Sequence, residues 1–198
     1  MLTNLLGCET SASSGGREMP FQKSSPDVIR SVRQRWLLSH WTRARAQDAV
    51  PAWKNLDPDD LAKMAESLMF CHVAAEPGVR FLIRFRGARI AEAFGPQEAN
   101  YLDDLLPEVI REETLAAYQE AVRTKQPVFT IAETRDPTGK PVTLERLVLP
   151  FSRDGAAVDR ILASLEMVSI EGGFNSRDLL NGDPRSLSHS VRAIIALA

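Results

Sequence analysis

The sequence predicts an α+β domain in which an antiparallel sheet carries its helices on one face. Three observations lead there. The stretch Val79 to Gly95 changes character midway: strand formers fill its first half, and past Gly87 it becomes a short helix closed by Gly95. Glu108 to about Lys125 reads as one long helix. Val128 to Thr134, Val142 to Phe151 and Val158 to Ile170 then read as strands, separated by the turn sequences Asp136-Pro137-Thr138-Gly139 and Ser152-Arg153-Asp154-Gly155. Hairpin connections among the last three strands imply antiparallel pairing.

Composition fits one soluble domain with extensions. The 198 residues are 44% hydrophobic and 25% charged, with a formal net charge of −2. That balance favours neither nucleic acid nor an anionic membrane as partner. The charge is unevenly distributed, net +4 over residues 1–54 and net −6 over the remainder. Cys8 and Cys71 stand alone, which argues against a disulfide framework or a zinc site. No apolar run approaches the ~18 residues of a membrane span. The expected location is the cytoplasm.

In chain order, residues 1–24 are rich in Ser and Gly and read as a flexible N-terminus. Residues 25–56 read as a leading amphipathic helix and linker, with Ser25 as cap and Pro26 in the first turn. Ile29, Val32, Trp36, Leu37 and Trp41 recur at helical spacing and form one apolar stripe. Two tryptophans on a helix outside the main domain predict a dimer interface. Residues 57–171 form the domain proper. Asp57 caps a short helix, Met69 to Ala75 is a first strand, and Glu76-Pro77-Gly78 turns into the second. Tyr101 to Leu106 is a brief helical turn ended by Pro107. The long helix has acidic residues early and Arg123 and Lys125 late, matching the helix dipole, with Leu115, Tyr118, Ala121 and Val122 as its inward face. Residues 172–198 read as a linker and a C-terminal helical tail.

This element order resembles that of PAS sensor domains, and the wording is similar to a group of bacterial, alphaproteobacterial-type single-domain PAS-like proteins. The residues that carry the resemblance are Arg84-Phe85-Arg86-Gly87-Ala88-Arg89-Ile90 with Phe94-Gly95, then Leu102-Asp103-Asp104-Leu105-Leu106-Pro107. Leu144-Glu145-Arg146-Leu147-Val148-Leu149-Pro150-Phe151-Ser152 completes the set. The similarity spans roughly Arg35 to Ile170. It implies a PAS-like five-stranded antiparallel sheet with a pocket between one face and the helices. It also implies a role in sensing or regulation.

Neither of two familiar PAS cofactors has its anchor here. The Asn-Cys-Arg-Phe motif of flavin photoadducts is missing, and the long helix carries no His for haem. No cofactor or metal is expected. His40, His72 and His189 have no second ligand at useful spacing, and the resemblance of Ser188-His189-Ser190-Val191-Arg192 to a histidine-kinase phospho-acceptor box is faint. Alternation along the strands puts Phe81, Ile83, Phe85, Leu147 and Leu149 on the helix-covered face. Phe94, Tyr118, Val122, Phe129 and Ile131 join them as the lining of an apolar pocket. Arg84 at its rim is the candidate for holding a ligand carboxylate. Cross-strand ion pairs among Arg84, Arg86, Glu145 and Arg146 are the alternative use of those charges.

No nucleophile with a base, paired carboxylates or phosphate loop is present, so no catalytic residue is expected. The expected function is a PAS-like regulatory module in signal transduction, acting as a homodimer on a signalling protein. The alternative is a sensor whose pocket takes a small organic ligand and so controls partner binding.

Overall fold

The computed structural model describes residues 19–46, 48–75, 78–181 and 188–197. One seven-stranded mixed sheet runs through it in the order β1-β7-β4-β5-β6-β2-β3. The strands are β1 (Gln22–Ser24), β2 (Leu68–Ala74), β3 (Arg80–Arg86), β4 (Val128–Arg135), β5 (Pro141–Phe151), β6 (Arg160–Val168) and β7 (Ser188–Ile195). Five helices accompany it: α1 (Val32–Arg45), α2 (Pro58–Ala62), α3 (Ala88–Phe94), α4 (Leu102–Leu105) and α5 (Glu108–Thr124).

The middle of the sheet follows the expected plan. β2 and β3 pair antiparallel, α3 to α5 intervene, and β4, β5 and β6 meander back so that β6 pairs with β2. The two later turns form where their sequences place them, with Gly139 and Gly155 at φ 90° and 85°. The carboxylate of Asp136 anchors the first turn. It accepts from the backbone N–H groups of Thr138, Lys140 and Asn175 and from the Thr138 hydroxyl. The Asn175 bond leads in holding its pKa down at about 2. Of the first expected turn, Glu76 and Pro77 lie outside the described residues.

Both ends of the chain depart from expectation. The sequence predicts a helical C-terminal tail. Instead Ser188–Ile195 is strand β7, antiparallel to β4, and β1 from the expected flexible N-terminus pairs with it in parallel. The sheet therefore has seven strands and is not purely antiparallel. Val191, Ile194 and Ile195 are strand formers, and pairing satisfies their backbone groups along an edge that β4 would otherwise expose. The 172–181 stretch is also more than a linker. Asp178 and Leu180 donate their backbone N–H groups to the carbonyls of Glu92 and Ala93, fastening it to α3.

The expectation of helices on one face only is corrected as well. Burial along β5 is nearly unbroken from Leu144 to Phe151, the mark of a strand covered on both sides. One core lies between the sheet and α3, α4 and α5, and contains Phe81, Ile90, Phe94, Tyr118, Leu144 and Val148. The other lies under α1 and contains Trp41, Leu37, Phe129, Leu147, Leu149 and Phe151. The helix starts later than its sequence suggests. Pro26–Val28 is a single 3-10 turn, Ile29 is extended, and the Ser31 hydroxyl accepts from the Gln34 N–H as the cap.

Candidate functional site

α1 crosses the sheet over β5. The Gln34 amide donates to the carbonyls of Glu145 and Ser164, and the Trp41 indole N–H donates to the Pro150 carbonyl at 2.6 Å. Trp41 is fully buried, as is Ile29, and Leu37 is nearly so. These three expected interface residues are corrected to core of their own chain: the sheet is wide enough to cover the stripe that the sequence left unpartnered. Val32 stays outside at 80% exposed, and Trp36 is half-buried beside His40.

The opposite face holds the cavity. Its volume is about 20 Å³, room for one water-sized group. Met69, Ile90, Phe94, Leu102, Ala163 and Leu165 supply apolar wall, and Thr114, Tyr118 and Arg146 supply the polar part. β5 positions Arg146 by alternation. Its cross-strand neighbours are Thr130 and Leu165, while Glu145 faces the other way, opposite Ile131 and Glu166. α5 positions Thr114 and Tyr118 one turn apart on its buried face.

The electrostatics are unusual for a small domain. Arg146 is only 9% exposed, and burial disfavours its charged form. Among the described residues no carboxylate stands within ion-pair distance of it. The Thr114 hydroxyl is buried without a hydrogen-bond partner. Tyr118 packs its ring 5.2 Å from that of Phe81; burial pushes its phenol up, and the charge of Arg146 works against that shift. Between β7 and α5, Nδ1 of His189 lies 2.8 Å from a carboxylate oxygen of Glu113, without the geometry of a hydrogen bond. Burial, then the charge of Arg146, lowers the pKa of His189. The cysteine in this core, Cys71, is fully buried with its thiol pushed up to about 12, so it stays protonated.

The expected pocket residues are divided by this geometry. Phe94 and Tyr118 line the cavity; Phe81 is in the same core, and Ile83 and Val122 pack at its margin. Phe129, Ile131, Leu147 and Leu149 are corrected to the α1 side of the sheet. The expectation assigned them by assuming one covered face, and in a strand buried on both faces alternation cannot say which row meets which helix. Phe85 fails for a different reason. The register steps from Ile83–Cys71 to Phe85–Phe70, so Arg84 is an extra residue in β3 and the alternation breaks there. Phe85 is thereby 46% exposed, and Arg84 is exposed and away from the cavity. The arginine at the cavity is Arg146. Its signal was present in the sequence: a charge inside the otherwise apolar run Leu144 to Phe151.

Comparison with known proteins settles the family. The model of the PAS domain matches residues 29–166, well over half of the chain. The chain belongs to the PAS-domain family. Among solved structures, this PAS protein is similar to the ligand-binding domain of the Pseudomonas aeruginosa amino-acid chemoreceptor PctC in complex with GABA, at 18% identity and a TM-score of 0.32. That similarity covers 68% of this chain and 55% of the receptor domain, so the PAS protein spans about half the length of that neighbour. No curated protein matches it. Among the described residues, no helix is long and apolar enough to cross a membrane, and no cluster of three or more His, Cys, Asp or Glu could hold a metal ion.

Proposed function

We propose that this PAS protein is a sensory module in signal transduction whose cavity, between the sheet and α3 to α5, takes a small organic ligand. The observation that carries the reading is the orphaned Thr114 hydroxyl beside a buried Arg146 at a void. A core evolved only for packing gains nothing from polar groups held without partners, since each costs about 1–3 kcal/mol. A ligand that satisfies them stabilises the folded state and pulls on α5. The output is then the position of α5 and the surface it offers a signalling protein. No catalytic step is assigned.

The test is a thermal-shift screen of small metabolites on the full chain, with Ala163→Val as control because Ala163 lines the cavity. Binding to the native state raises stability by about 2.7 kcal/mol at a hundredfold excess over Kd. Stabilisers of the wild type that lose their effect on Ala163→Val support the reading; a screen without any stabiliser overturns it.

A second reading, self-association and regulation through the surface alone, keeps one foothold. A groove of about 280 Å³ beside Val32, Trp36 and Met64 remains open at the start of α1. Light scattering of Val32→Asp against the wild type decides whether a dimer uses it.

A further inference from the structure

The chemistry of the cavity narrows its ligand, on the assumption that the sensory reading above holds. We infer that the cavity binds a small monocarboxylate with a short apolar tail, its carboxylate on Arg146 and the Thr114 hydroxyl. A guanidinium offers a planar fork of N–H donors that matches the two oxygens of a carboxylate. In proteins a buried arginine ordinarily has an acidic partner, because an uncompensated buried charge is costly. Here the nearby acids point elsewhere. Glu113 lies against His189, and Glu145 and Glu166 sit in the row that faces away from the cavity. The complement that the site lacks is one negative charge.

The donor set adds detail. Thr114 Oγ1 is buried and free to donate, and Tyr118, whose phenol is held in its protonated form by burial, is a second O–H donor at the same wall. One cation and two hydroxyl donors suit a monoanion better than a dianion. The rest of the wall is carbon, which an inorganic anion would not use. With room for about one water-sized group, one carboxylate oxygen fits as the site stands, and the rest of the head and the tail must displace side chains. Met69, unbranched and adaptable, is the wall residue best able to yield.

The experiment measures melting of the full chain in sodium propionate, in sodium chloride of equal ionic strength, and in propionamide, the neutral analogue. The expected result is a saturable rise with propionate alone. Arg146→Met should weaken propionate by about 10- to 100-fold, the worth of a charge-assisted pair, and Thr114→Val by about 3- to 10-fold. Should Arg146→Met not fold, the Nε–Hε resonance of Arg146 in the wild type decides the matter: propionate must shift it saturably. No response to propionate, an equal response to chloride, or an undiminished response in Arg146→Met overturns the inference. Stabilisation by neutral compounds but not by propionate overturns it while leaving the sensory reading intact. Silence from propionate and from every compound of the metabolite screen removes both.

Discussion

Glu145 and Glu166 stand directly opposite each other on β5 and β6, both nearly buried under α1. Two like charges in that register destabilise a sheet. Glu166 bears the cost: burial foremost, and the charge of Glu145 among the rest, raise its pKa, against the opposing pull of Arg33 and Arg89. One of its carboxylate oxygens has no hydrogen-bond partner. A carboxyl whose pKa is higher in the folded than in the unfolded state contributes stability below its unfolded value. That contribution is lost as the pH rises through the folded value. Glu166→Gln removes the titration. It should therefore leave melting near pH 4 almost unchanged and raise it at pH 8 by about 2–4 °C. That corresponds to about 1 kcal/mol once the opposing pull of Arg33 and Arg89 is allowed for. A variant that melts lower than the wild type at pH 8 would show that Arg33 and Arg89 outweigh the burial.

At the scale of elements, the joint between β3 and α3 is set by one missing side chain. Gly87 has ordinary extended backbone, so its need is for space. A Cβ there would collide with the carbonyl oxygens of Ala65 and Glu66, in the turn that leads into β2. The Gly87 N–H donates to the Leu68 carbonyl at 2.8 Å, which fixes the approach. Gly87→Ala should cost about 2–4 kcal/mol, roughly 5–15 °C in melting temperature, because backbone rather than a flexible side chain must move. Gly78→Ala is the control. Its Cβ meets nothing, and the change should stay within about 0.5 kcal/mol.

For the whole molecule, the consequence of two cores is that α1 belongs to the fold. Its buried side covers Phe129, Leu147, Leu149 and Phe151, and Trp53 adds a stacked contact to Phe70 and an edge contact to Phe151. A chain beginning at Asp57 loses that cover together with β1, and leaves one sheet face apolar and bare. Such a chain should bind a hydrophobic dye and lose its cooperative melting. Retention of a sharp transition would mean that the core beneath α3 to α5 suffices alone. The same architecture ties the cavity to the molecule's far elements. α5 carries Thr114 and Tyr118 into the cavity and brings the Glu113 carboxylate close to His189 of β7, whose Nδ1 makes no hydrogen bond there.

Local chemistry determined much of this protein. The Gly87 and Gly95 boundaries of α3, the long α5 with Lys125 in the left-handed conformation at its end, and the turns at Asp136 and Ser152 all follow from near-neighbour preferences. Those preferences are written within a few residues of where they act, and the same holds for the order of elements that carries the PAS resemblance. Sidedness is different. Whether Leu147 or Val148 faces α5 depends on which helix lies on which face, and both rows are apolar. The fate of Ser188–Ile195 likewise depended on a distant strand, β4, having an edge to fill. Arg84 and Arg146 look alike as charges in strands; only the extra residue in β3 and the double cover over β5 put the first in solvent and the second against the cavity. Secondary structure is a local equilibrium that sequence can express directly. The partner of each face is a choice among distant surfaces, and it is made only when the chain packs.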